Sequence, residues 1–158
     1  TGESQKKTQE VVVKDLDYHL SKALVEIDNN IGVEEKLTTD VYLRSFAFYE
    51  KDKNHYSLIL ELQDDITEAV ISKYTFAVEG FVIGDELEKL SDYAKSKKRT
   101  HEAWFGIPKL TKVNGNCYII LDVTTKLRKF DLIKFFLFDR NGYKGDIGKR
   151  VLFYDYNI

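Results

Sequence analysis

Between Cys117 and Tyr156 three apolar runs follow one another, YIILDVTT, FDLIKFFLFD and RVLFYDY, the last two separated by the turn-rich RNGYKGDIGK. Runs of β-branched and aromatic residues bounded by Asn, Gly and Asp form sheet, and three strands sharing an apolar face are stable together. The middle run sets the tightest constraint. Ile133, Phe135 and Leu137 fall on one parity and Leu132, Phe136 and Phe138 on the other, so both faces are apolar apart from Lys134. Such a strand is either central and covered on both sides, or it shows one apolar face to a partner. The first run is one-sided, with Ile119, Leu121 and Val123 opposite Asp122 and Thr124.

The segments upstream read as cover and extension for these strands. VYLRSFAFYE and YSLILEL, joined by the polar EKDKNH, read as a hairpin, and Tyr56, Leu58, Leu60 and Leu62 alternate with Ser57 and Glu61 as a half-buried strand does. In YTFAVEGFVI the apolar set moves from Tyr74, Phe76 and Val78 to Phe81 and Ile83 after Gly80, which predicts a β-bulge at that glycine. EAWFGIPKL is extended, with Pro108 suited to an edge strand.

Helical signals are fewer. Val12, Leu16, Leu20 or Ala23, Leu24 and Ile27 recur at helical spacing and favour an amphipathic helix, against a first strand over Ala23 to Asp28. ITEAVISKY supports one or two turns capped by Asp64 or Asp65. DELEKLSDYAKSKK predicts a helix capped by Asp85, with Glu88 closing a capping box and Leu87, Leu90 and Ala94 as a narrow apolar stripe. A stripe that narrow places this helix outside the sheet, as an insertion.

The chain of 158 residues is long enough for a core without staples, and its ten Phe, ten Tyr and one Trp weight the class toward β. The expected fold is therefore a mainly β, antiparallel two-sheet β-sandwich, immunoglobulin-like or related, with one inserted helix. The alternative is an α+β fold whose segments 12–27 and 85–98 pack as helices on one face of an antiparallel sheet. Residues 1–10 read as a disordered polar arm and residues 11–158 as a single β-rich domain. There is no Met, even at position 1, which reads as a processed or trimmed chain. A polar tether left by processing would place the domain in the periplasm, at the cell surface or outside the cell; an artificial boundary carries no such implication.

A formal charge of −2 with both signs mixed gives no field to gather phosphate backbones, so a nucleic-acid partner is not expected. No apolar run is long enough to span a bilayer as a helix. The lone Cys117 excludes an internal disulfide framework and a multi-cysteine zinc site, and it reads as a small core residue. Asp139, Asn141 and Asp146 could offer oxygens to calcium, but their spacing is not that of an EF-hand, and Asn141-Gly142 already explains the segment as a turn. GYKGDIGKR lacks the glycine spacing of a phosphate loop, His19, His55 and His101 lie in separate segments, and no serine sits in a nucleophile elbow. No cofactor is implied.

Asp122, Asp131, Asp139 and Asp155 sit within or at the ends of apolar strands and are the carboxylates most open to burial, though marking a solvent face is the simpler account. Lys126, Arg128, Lys129 and Lys134 form a local basic group. Tyr42, Trp104, Phe105, Tyr154 and Tyr156 lie near strand ends, where rings can stack on sugars or fill a partner's pocket. The expected function is a non-catalytic binding or scaffolding module for another protein, as a component of an envelope or extracellular assembly, with Trp104, Phe105, Lys134, Tyr154 and Tyr156 as contact residues. A small glycan hydrolase with paired carboxylates, or a carbohydrate-binding module, is the alternative.

Overall fold

The structure, a computed structural model, describes residues 25–26, 36–141 and 146–158. Among the described residues ten strands run in chain order: β1 (Val25–Glu26), β2 (Lys36–Thr38), β3 (Val41–Asp52), β4 (His55–Leu62), β5 (Tyr74–Phe81), β6 (His101–Gly106), β7 (Thr111–Val113), β8 (Asn116–Thr124), β9 (Lys129–Asp139) and β10 (Asp146–Asn157). They make two antiparallel sheets. One has the order β1-β3-β4-β8-β7 with β2 also paired to β3, and the other the order β10-β9-β5-β6. One apolar cluster draws on both sheets, so the architecture is the expected two-sheet sandwich. The only helical pieces among the described residues are α1 (Glu68–Ile71), a 3₁₀ turn (Gly84–Lys89) and α2 (Asp92–Ser96), too little helix for the α+β alternative.

Alternation decides the inward faces. Tyr56, Leu58, Leu60 and Leu62 of β4 are buried opposite the buried Cys117, Ile119, Leu121 and Val123 of β8. On β3 the inward set changes parity, from Val41 and Leu43 to Phe46 and Phe48, because a register shift between Leu43 and Ser45 adds one residue to that strand. The hairpin turn is shorter than its polar sequence implies. Asp52 pairs with His55 across Lys53-Asn54, and Asn54 takes a left-handed φ of 64°.

The bulge expected at Gly80 is not there. Gly80 pairs with Ile133 on one side and Glu102 on the other in unbroken register, and the inward parity runs through it from Val78 to the buried Val82. The glycine makes room instead: a Cβ there would lie 2.6 Å from Cε1 of Phe130 and 3.0 Å from the Trp104 ring. A parity change does occur on β9 and β10. Ile133 and Phe153 point inward, but so do Phe130 and Tyr156, and Asp155 between them has φ 55°.

The helix expected over residues 85–98 is broken in two. Leu90 is extended, with φ −63° and ψ 154°, and Glu102 on β6 takes the Ser91 N–H at 2.6 Å, so that N–H makes no helical bond and the chain breaks there. The cap is accordingly Ser91, whose hydroxyl accepts from Ala94 N–H, and not Asp85. Likewise α1 begins at Glu68 and is capped by Thr67, whose hydroxyl accepts from Val70 N–H, and not by Asp64, which pairs with Arg44 at 2.8 Å, or by Asp65. The helix favoured over Val12 to Ile27 is corrected at Val25 and Glu26, which pair as strand with Phe46 and Ser45; the rest of it, and the expected arm over residues 1–10, lie outside the described residues.

The two sides of the sandwich differ. On one side β10 runs beside β2, so closely that a Cβ on Gly148 would sit 2.0 Å from the Leu37 carbonyl oxygen. On the other, β6 stacks over β8, with Gly106 against Leu121, and among the described residues pairs with β5 alone.

Candidate binding edge and aromatic face

The register sets which backbone groups of β6 are spare. Val82 N–H donates to the Thr100 carbonyl at 2.9 Å, and bonded pairs alternate along an antiparallel ladder. With Gly80 opposite Glu102 and Val78 opposite Trp104, the backbone groups of Glu102, Trp104 and Gly106 turn toward β5. Those of His101, Ala103 and Phe105 therefore turn away, to an edge that no strand occupies among the described residues.

Beside this edge lies a groove of about 350 Å³, walled by Ser91, Tyr93 and Ala94 of the α2 region, Arg99, Trp104 and Thr124. The Arg99 guanidinium lies 5.5 Å from the Tyr93 ring centre and the Lys97 ammonium 5.9 Å from it. Among the described residues, neither cation has a carboxylate within salt-bridge distance. Glu102, also in the groove wall, is committed to Ser91.

The outer face of the four-stranded sheet is organised in rows across the strands. Tyr154, Leu132, Phe81 and His101 form one row, Leu152, Lys134, Glu79 and Ala103 the next, and Phe136, Ala77 and Phe105 the third. Phe105 and Tyr154 are exposed on this face, Phe81, Leu132 and Phe138 partly so, and Phe136 and Ala77 are buried, around a charged centre. Glu79 lies 3.5 Å from both Lys134 and His101, and the Lys134 ammonium sits over the rings of Phe136 and Phe81 at 4.9 and 5.5 Å. The two apolar faces of FDLIKFFLFD thus have different fates: the odd residues fill the core and the even ones line this outer face.

The five expected contact residues divide. Phe105, 55% exposed and 5.8 Å from the Phe138 ring, and Tyr154, also 55% exposed, lie on the outer face with Lys134, but on opposite margins of the sheet. Trp104 points inward, buried and edge-on to Phe130, and touches the groove from within. Tyr156 packs against Phe46 and Phe48 at 5.0 and 5.6 Å, and burial raises its phenol above the usual value. Tyr42 is partly exposed, with Lys36 over its ring.

Asn141 N–H donates to Asp139 Oδ1 at 2.9 Å, so that carboxylate serves the turn. The side chain of Asp146 and residues 142–145 lie outside the described residues, as does His19. Asp122, Asp131, Asp139 and Asp155 are all exposed, with Asp122 held by Lys51 at 2.6 Å. Among the described residues no three His, Cys, Asp or Glu side chains are grouped to hold a metal ion. The basic group is partly spoken for, since Arg128 donates to Asn54 Oδ1 at 2.6 Å and Lys134 faces Glu79. Cys117 is buried and its thiol donates to the Asp64 carbonyl.

Two features escaped the sequence reading. The Asn114-Gly115 turn, both residues at positive φ, joins β7 to β8, and the Asn-Gly pair was its signal. The other is Asp40, whose carboxylate accepts from Tyr74 Oη at 2.6 Å and from Lys73 at 3.1 Å, tying the β2–β3 turn to the start of β5. Partial burial alone would raise the Asp40 pKa, but these donors outweigh it and hold it low; burial and the adjacent carboxylate push Tyr74 up to about 12. No short-range pattern links residues 34 apart.

Comparisons with family models, curated proteins and solved structures find no match to this chain. No helix among the described residues is long and apolar enough to cross a membrane.

Proposed function

We propose that this chain is a binding module that holds another protein by adding one of that partner's strands to β6. The observation that carries the reading is the edge of β6 that no strand occupies among the described residues. Sheet edges in folded proteins are commonly guarded by Lys, Pro, bulges or short length. β6 is six residues long, HEAWFG, contains neither Lys nor Pro, and runs in unbroken register. The other side of the same sheet is approached by β2, and β7 is only three residues long with Lys112 at its centre. An edge left open beside a groove and a half-exposed phenylalanine is the arrangement through which main-chain bonds give affinity and side-chain pockets give selectivity.

The test is a selection of displayed extended peptides on the intact protein, counter-screened with Ala103→Pro. Proline at 103 deletes a backbone donor that faces away from β5, a position where an edge strand tolerates it. Binders lost on that substitution, and shifting the amide resonances of residues 101, 103 and 105, support strand addition. Binders that ignore Ala103→Pro, or no binders at all, remove it.

A further inference from the structure

Resting on that reading, we infer that the strand received by β6 is a two-faced one. It carries apolar or aromatic side chains toward the outer face and a carboxylate toward the groove. A strand added about 4.8 Å from β6 prolongs both faces of the sheet, and its side chains alternate between them. On the outer side its neighbours are His101, Ala103 and Phe105. The exposed Phe105 has the apolar Ala77 and Phe136 row on its inner flank and, among the described residues, no strand on its outer flank, so an aromatic or β-branched neighbour completes the row.

The other side chains of the incoming strand turn toward the groove. The charged groups lining it are Arg99, stacked on Tyr93, and Glu102, whose carboxylate already accepts the Ser91 N–H, with His101 turned to Glu79 on the outer face; Lys97 lies on the same Tyr93 ring, outside the groove lining. Lys98 and Asp92 are exposed and do not line the groove. With Glu102 engaged by Ser91 and Arg99 lacking an acidic partner among the described residues, a carboxylate is the complementary group.

Three capped, fluorescein-labelled nonapeptides of sequence TVTFXFTVT, with X as Glu, Gln or Lys, test this by fluorescence anisotropy. The Glu peptide is expected to bind about 5-fold more tightly than the Gln peptide at low salt, as for a partly exposed ion pair, with the Lys peptide weakest. The preference is expected to shrink in 0.5 M salt and to reverse in Arg99→Glu, an exposed position whose substitution leaves the core untouched. Equal binding of all three peptides, abolished by Ala103→Pro, would overturn the charge assignment and leave strand addition standing. Binding insensitive to Ala103→Pro and to Phe105→Pro, which deletes the other central outward donor, or no binding at all, would overturn strand addition itself. A dimer of the unliganded chain that Ala103→Pro dissociates would make a second copy the occupant and would likewise overturn the inference.

Discussion

Replacing Gly80 with alanine sets two effects of opposite sign against each other. In an ordinary strand position the change stabilises by about 0.5–1 kcal/mol, because glycine loses the most backbone freedom on folding. Here the new methyl would lie 2.6 and 2.7 Å from two carbons of the buried Phe130 ring and 3.0 Å from Trp104. A flat ring fixed between Phe48 and Trp104 cannot swing aside as a flexible chain end would. Overpacking of this kind costs about 1–3 kcal/mol, so the net expectation for Gly80→Ala is a loss of about 0.5–2 kcal/mol. At about 2–4 °C per kcal/mol for a domain of this size, the melting temperature should fall by about 1–8 °C, and further for Gly80→Val. Scanning calorimetry on Gly80→Ala, Phe130→Leu and the double variant closes the cycle. Shrinking residue 130 should make the alanine neutral or stabilising, a coupling of about 1–2 kcal/mol. A Gly80→Ala protein more stable than the parent, or additive effects of the two substitutions, would refute the packing account and return the glycine to a backbone role.

Asp40 and Tyr74 give opposite pH signatures. The Asp40 carboxyl is held below its ordinary 3.8, so its contribution is present above that pH and is lost as pH falls through the folded value; Tyr74 is raised from 10.0 to about 12, so its contribution is complete below pH 10 and is lost as pH rises toward 12. Urea midpoints should show Asp40→Asn removing the acid-side loss and Tyr74→Phe the alkaline-side one, each substitution costing about 1.5–3 kcal/mol at neutral pH; unchanged pH profiles in both variants would sink the assignment. Glu102→Ala leaves the Ser91 N–H without its acceptor, and a loss of about 1–3 kcal/mol is expected in denaturant titration, with Glu102→Gln, which keeps an acceptor oxygen, losing less. Amide exchange should be fast at His101, Ala103 and Phe105 and slow at Glu102, Trp104 and Gly106 in the free protein. The reverse pattern would mean that the edge is turned the other way.

What could be read locally was read correctly where a single period governed. The β4 and β8 alternations are carried by adjacent residues, and burial follows them without exception on their inward faces. Where two physical causes leave the same trace, the residues were ambiguous. A glycine between two apolar parities fits a bulge or a ring crossing overhead, and only the position of Phe130, fifty residues on, separates them. Capping residues failed similarly: Asp64 and Asp85 are good caps by type, but Arg44 holds the first, and the pull of Glu102 on Ser91 moves the second helix start.

For the candidate site the division is the same. Phe105, Lys134 and Tyr154 could be picked out because exposed aromatics and a lone cation in apolar strands are unusual, whereas Trp104 and Tyr156, identical in type, face inward. By itself the sequence determined that this chain forms sheets with more apolar surface than one interior absorbs, because side-chain alternation is a property of neighbours along the chain. Tertiary structure decided that the surplus lies on the outer side of β9, and that β6 has an edge unpaired among the described residues. Strand order and edge exposure come from pairing between distant segments, here β5 between β9 and β6, and that pairing leaves no periodic mark in any one of them.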